Sequence, residues 1–288
     1  MTISATTIPI ARGAVATEQP ILKRLSSRWH DVVVFSRRNL VHIRREPLQL
    51  SDVTIQPVLF TMLFIYVFGA GIPIKGGSYK DFVLAGLLSL NLVTSAMGTG
   101  VGISSDMATG AINRFRSLPI WRPAVLIGRS VSDVLAAALC VTIVAATGLV
   151  VGWRPGNVSI PSVIGGFAIA LLFSYAIQWA CACIGLVSKG PESAQGMGLI
   201  ILFPLAFVSN AMVPTQGMPA WLADVANWNP VSALTAAART LLGNPNPEAS
   251  VHAWPMEHPV VAAIAWSLVL LAIFVPLATY LFKRRTTE

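Results

Sequence analysis

The sequence predicts an all-α integral membrane protein with six transmembrane helices, and three observations carry that reading. Of 288 residues, 55% are hydrophobic and 11% charged, less than half of the roughly 25% charged residues of a soluble domain. Mean hydropathy is +0.69. Six runs approach the ~20 apolar residues that a helical crossing needs: 53–71, 82–105, 130–151, 162–187, 196–214 and 259–281. The 20 basic residues are also unevenly divided among the connections, and only Lys75, Lys80, Arg154 and Arg239 fall on the poorer side. The richer side holds the N-terminal segment, the 106–129 connection, Lys189, and Lys283, Arg284 and Arg285. By the positive-inside rule both termini are cytoplasmic, as an even number of crossings also requires. The net charge of +8 therefore follows the membrane topology and does not point to nucleic acid.

Residues 1–27 show no hydrophobic period and are read as a mobile cytoplasmic tail; residues 28–285 form the membrane domain. In RWHDVVVFSRRNLVHIRR, residues 28–45, a 100° projection places Trp29, Val32, Val33, Leu40 and Ile43 on one face. Arg37, Arg38, Arg44 and Arg45 lie opposite, the pattern of an amphipathic helix in the inner headgroup layer. Pro47 ends it. The first two spans follow, and then SSDMATGAINRFRSLPIWRP, residues 104–123. Here Met107, Ala108, Ala111, Ile112, Phe115 and Leu118 share one half of a helix, while Asp106, Thr109, Asn113, Arg114, Arg116 and Ser117 take the other. Pro119 and Pro123 stop it. A segment that only joined two spans would have no need of an apolar face, so this one is expected to rest on the membrane or in a protein groove with its basic side toward the cytoplasm.

The outer connection, 215–258, carries its own helix marks. Pro219 suits a first turn, Asn229 with Pro230 breaks the chain, and Gly243 suits a C-terminal cap. The two pieces between are too short to cross and too apolar for water, which predicts re-entrant or interfacial helices.

Residues 1–50 carry eight basic residues and no apolar core of signal-peptide length, so the first span is the expected anchor. Cys140, Cys181 and Cys183 all fall within spans and are expected to pack, not to pair. No Gly-Lys dipeptide exists, hence no phosphate-binding loop of the G-x-x-x-x-G-K-[ST] type. Asp133 is the one acid inside a span, four residues from Arg129, and is expected to form a helix-end ion pair. None of His30, His42, His252 and His258 lies in a span, and none has metal-ligand spacing. These absences weigh against a proton-coupled carrier and an intramembrane enzyme. Gly98 with Gly102, and Gly148 with Gly152, fit the small-xxx-small pattern for close helix contact.

Four stretches carry a family resemblance: SRRNLVHIRREP, IQPVLFTMLFIYVFGAGI, GVGISSDMATGAINRFRSLPIWRPAVLIGRSVSD and FPLAFVSNAMVPTQGMPAWLADVANWNPVSALTAAARTLLGN. In this order among six spans they resemble the permease subunits of type 2 ABC exporters, in particular the daunorubicin-resistance (DrrB-like) efflux permeases, from about residue 33 to 285. The resemblance implies that the N-terminal helix with Trp29, Arg37, Arg38, Arg44 and Arg45 is an elbow helix. It likewise implies that 106–118 is a cytoplasmic coupling helix seated on a separate ABC ATPase, with Asp106, Thr109, Asn113, Arg114 and Arg116 as coupling residues. Where relatives often have Glu, this chain has Asp106. The short helices of 218–242 would sit at the outer leaflet. A second permease copy, identical or paralogous, would complete a pathway to which Leu88, Asn91, Ser95, Phe203, Phe207 and Asn210 are candidate contributors. The chain itself would bind no cofactor; ATP and Mg would belong to the partner ATPase.

The implied function is export of hydrophobic or amphiphilic compounds, whether drug, antibiotic or lipid, across a bacterial cytoplasmic membrane. Export of lipid-linked polysaccharide by the same architecture is the alternative, and an ATP-independent carrier a more remote one.

Overall fold

The computed structural model describes residues 47–69, 74, 77–109 and 123–287. The N-terminal helix with Trp29, Arg37, Arg38, Arg44 and Arg45, and the coupling residues Asn113, Arg114 and Arg116, lie outside the described residues. Within them the regular elements are all helical. Helix α1 runs Pro47–Leu63 and continues as a π turn, Phe64–Phe68; α2 is Tyr79–Ala108, α3 Pro123–Val150, α4 Ile160–Val187 and α5 Pro191–Phe207. The outer connection holds α6 (Ala220–Trp228), α7 (Pro230–Leu242) and the single turn α8 (Trp254–Glu257), and α9 spans Pro259–Thr287.

Four of these, α2, α3, α4 and α9, are long and apolar enough to cross a membrane. At 1.5 Å per residue, the 30 residues of α2 extend about 45 Å, well beyond the ~30 Å hydrocarbon core. Around the first apolar run, expected over 53–71, helical backbone begins earlier, at Pro47, and ends at Phe68. The fifth run, expected over 196–214, needs a larger correction. Helix α5 begins earlier, at Pro191, and ends at Phe207; residues 208–213 are bends. The physical reason is that the carbonyls released at this end find side-chain partners. Asn229 Nδ2 donates to the carbonyls of Leu205 and Val208, and Arg239 takes those of Asn210 and Ala211. Irregular backbone buried in an apolar bundle is tolerated only where protein supplies partners of this kind.

Helix α2 is the axis of the bundle, packed by α1, α3, α4, α5 and α7. Every residue from Phe82 to Val93 is buried, as a helix that is apolar all round should be. Its closest neighbour is α4. A Cβ on Gly100 would stand 2.6 Å from the Cys181 carbonyl oxygen, and one on Gly185 would stand 2.2 Å from the Gly100 carbonyl oxygen. The two backbones are therefore in contact. This displaces the expected role of Gly98 and Gly102, because Gly100 points about 200° away from Gly98 around the helix and it is Gly100 that meets α4. Gly152 is likewise not a contact glycine: with φ 93° it ends α3, and Trp153 N–H closes back on Gly148 O at 2.8 Å.

The marks read in the outer connection fall where expected. Asn229 caps α7 by accepting from Val231 N–H at 2.8 Å, Pro230 opens that helix, and Gly243 ends it at φ 68°. Cys140, Cys181 and Cys183 are buried free thiols; Cys181 packs in the main core and Cys183 in a second cluster with Trp179 and Phe282, so the i, i+2 pair does diverge. Outward, α1 exposes Ile55, Leu59, Tyr66 and Val67, and α9 exposes Val261, Leu268, Ile273 and Tyr280.

Candidate functional site

Polar side chains gather at the two ends of this apolar bundle. At one end lie the last turns of α2, the first turns of α3 and the C-termini of α4 and α9, the last two tied by Arg285 donating to Val187 O at 3.0 Å. Arg129 and Asp133 stand at i, i+4 on α3, hence on one face. Gly98, Gly102 and Asp106 repeat the same spacing on α2. Across the gap, Arg129 Nη1 donates to Asp106 Oδ2 at 3.2 Å and Nη2 to Gly98 O at 3.4 Å. Arg129 Nε lies 3.7 Å from Asp133 Oδ2, which also accepts from Thr99 Oγ1 at 2.7 Å.

Gly102 makes this arrangement sterically possible. A Cβ there would sit 1.7 Å from Arg129 Nη2, whereas one on Gly98 would meet nothing within 4 Å. The side chains of Arg129, Asp106 and Asp133 are 19%, 28% and 15% exposed. They are too enclosed to count as a solvent-screened surface pair, for which the contribution is about 0–1 kcal/mol. The expected Arg129–Asp133 pair is present, and sequence reading missed that Asp106 shares the guanidinium. Asp106 lies in the last turn of α2, and Thr109 closes that helix by donating to Ser105 O at 2.9 Å. Residues 110–122, with Asn113, Arg114 and Arg116, join these two helix ends in sequence and lie outside the described residues.

At the opposite end, Arg239 is fully buried on α7. Its Nη2 donates to Asn210 O at 2.8 Å and Ala211 O at 3.1 Å, and Nε to Phe82 O at 3.2 Å. The guanidinium carbon lies 3.6 Å from the centroid of the Phe82 ring, a cation–π contact. Burial pulls the Arg239 pKa down to about 9, opposed first by the Glu248 carboxylate, so the group is a cation at neutral pH. Glu248, also fully buried, accepts from Thr215 N–H at 2.9 Å and from Thr215 Oγ1 at 2.5 Å. Sequence reading had placed Arg239 only among the basic residues of the outer side. A single cation within ALTAAARTLL was the available signal, since an apolar helix keeps a charge only where something receives it.

The six pathway candidates divide between two environments. Phe203 and Phe207 are 54% and 48% exposed on α5, their rings stacked at 4.2 Å between centroids. Leu88, Asn91 and Asn210 are buried within the protomer. Asn91 Nδ2 donates back to Leu87 O at 2.8 Å, and half-buried Ser95 Oγ to Leu92 O at 3.0 Å. Asn210 N–H donates to Ser232 Oγ at 3.0 Å.

The chain is similar to known proteins over most of its length. Over 251 residues the chain is 29% identical to the daunorubicin resistance ABC transporter permease protein DrrB1 of Streptomyces coeruleorubidus, covering 87% of this chain and 85% of that one. It is 23% identical over 256 residues to the putative transport permease ycf38 of Porphyra purpurea, across 87% and 84% of the two chains. It is 21% identical over 256 residues to the probable doxorubicin resistance ABC transporter permease protein DrrC of Mycobacterium tuberculosis, across 88% of each. Residues 30–242, nearly three quarters of the chain, match the ABC-2 type transporter model, and the chain belongs to that family.

Proposed function

We propose that this chain is the permease subunit of an ATP-driven exporter that moves drug-like amphiphilic compounds out of the cytoplasm or the inner leaflet. The observation that carries the reading is the family match over residues 30–242, joined to relatives named as daunorubicin and doxorubicin resistance permeases over almost the whole chain. The energy comes from a separate ABC ATPase that holds ATP and Mg, and two permease copies form the pathway in a bacterial cytoplasmic membrane. Six crossings follow if α1 with its π turn, and α5 with the bent 208–213 segment, join the four long helices. Both termini are then cytoplasmic, the 28–45 helix is the elbow in the inner headgroup layer, and α6 and α7 lie in the outer leaflet.

In this reading the 110–122 segment docks on the ATPase through Asn113, Arg114 and Arg116. Phe203 and Phe207, exposed on α5, offer aromatic faces to an apolar ring system, the kind of contact that binds without demanding one shape. Co-purification tests the partnership: tagged permease should retain the ATPase from membranes, and the double variant R114E/R116E should lose it. Equal recovery with both permeases would remove the docking role of this segment.

A further inference from the structure

We infer that Arg129 is a positioning residue that ties the inner ends of α2 and α3 into one moving unit, and that Gly102 is the notch that seats it. The inference rests on the exporter reading, in which displacement enters through the 110–122 segment. That segment has two feet, Thr109 at the end of α2 and Pro123 at the start of α3. A push on it reaches the bundle as a concerted movement only if the feet cannot part. The Arg129 guanidinium spans them, holding Asp106 Oδ2 at 3.2 Å and Gly98 O at 3.4 Å on α2 while lying against Asp133 on its own helix.

Three features make this a built junction. First, α2 is in backbone contact with α4 at Gly100, Cys181 and Gly185, so α2 cannot slide alone to absorb a displacement of α3. Second, one guanidinium faces two carboxylates. It joins Asp106 on one foot to Asp133 and the rest of α3 on the other, and the attraction of opposite charges holds that junction closed. Third, Gly102 lacks the one atom that would fill the guanidinium's place: a Cβ there would fall 1.7 Å from Nη2, and the same atom one turn earlier, on Gly98, meets nothing.

Two glycines supply the test. Gly165→Ala, on α4 with nothing within 4 Å of the new atom, and Gly102→Ala gain the same helix propensity and remove no charge, but only the second unseats Arg129. Amide exchange is measured on the purified permease, and drug transported per ATP hydrolysed on the complex with its ATPase, with Arg129→Gln and Arg129→Lys alongside. Gly102→Ala and Arg129→Gln should speed exchange roughly tenfold at 103–109 and 124–130, with α4 and α9 unchanged. Transport per ATP should fall roughly fivefold or more in both, with partial recovery in Arg129→Lys, which keeps charge but not the fork. Gly165→Ala should match the wild type in exchange at 103–109 and 124–130 and in transport per ATP. Wild-type exchange or wild-type coupling in Gly102→Ala and Arg129→Gln would overturn the inference. If the wild-type complex moves no drug while exchange still separates the two glycine variants, the clamp stands and the exporter reading falls.

Discussion

Arg239 shows what one residue does when an apolar helix buries a charge. It serves the carbonyls of Asn210, Ala211 and Phe82 at once, so its removal leaves the two carbonyls of the non-helical 208–213 stretch without this donor and takes a nearby positive charge from the buried Glu248 carboxylate. Arg239→Leu should lower stability by about 3–5 kcal/mol, read as a fall in the thermal midpoint of the detergent-purified protein. Arg239→Lys should recover part of this, because an ammonium keeps the charge without the planar fork. An unchanged midpoint in Arg239→Leu would mean that the network adds nothing. The charge itself was visible in the sequence. Its receivers were not, because they exist only where α5 leaves helical geometry 29 residues earlier. Asp106 is the mirror case: its position was legible, but not that Arg129 would reach it from 23 residues away.

Among the elements, the crossing of α2 and α4 depends on two glycines that touch backbone. Gly185→Ala should cost about 1–3 kcal/mol through forced separation of the helices, more than the ~1 kcal/mol that the added helix propensity returns. Gly165→Ala, on the same helix with nothing within 4 Å of the new atom, should be neutral or stabilising by up to ~1 kcal/mol. Thermal unfolding of the pair checks this, and equal shifts would contradict it. Gly98 and Gly102 stood out by spacing, yet spacing tells which residues share a face and not what that face opposes. Helix α5 gives a second element-level prediction. Asn229 both caps α7 and receives the end of α5, so Asn229→Ala should cost about 1–3 kcal/mol. Hydrogen exchange should localise the loss to residues 205–213 and the first turn of α7. Pro219, Asn229, Pro230 and Gly243 marked α6 and α7 correctly because caps and breakers act locally; the unwinding of 208–213 did not announce itself because its cause is tertiary.

For the molecule as a whole, composition and the apolar runs were enough to specify a membrane-embedded helical bundle, and four long helices answer to that expectation. The outward apolar faces of α1, α5 and α9 leave it few soluble forms. Family and permease role follow from motifs spread over most of the chain, whereas the surfaces that would meet the proposed ATPase and second copy depend on partners that no single chain encodes locally. The central claim is that this chain moves drug only when a separate ATPase drives it. Inverted membrane vesicles holding the permease with or without that ATPase, supplied with ATP and doxorubicin, test the claim through fluorescence loss on uptake. The account predicts ATP-dependent accumulation with both proteins and none with the permease alone; equal accumulation by the permease alone would contradict it.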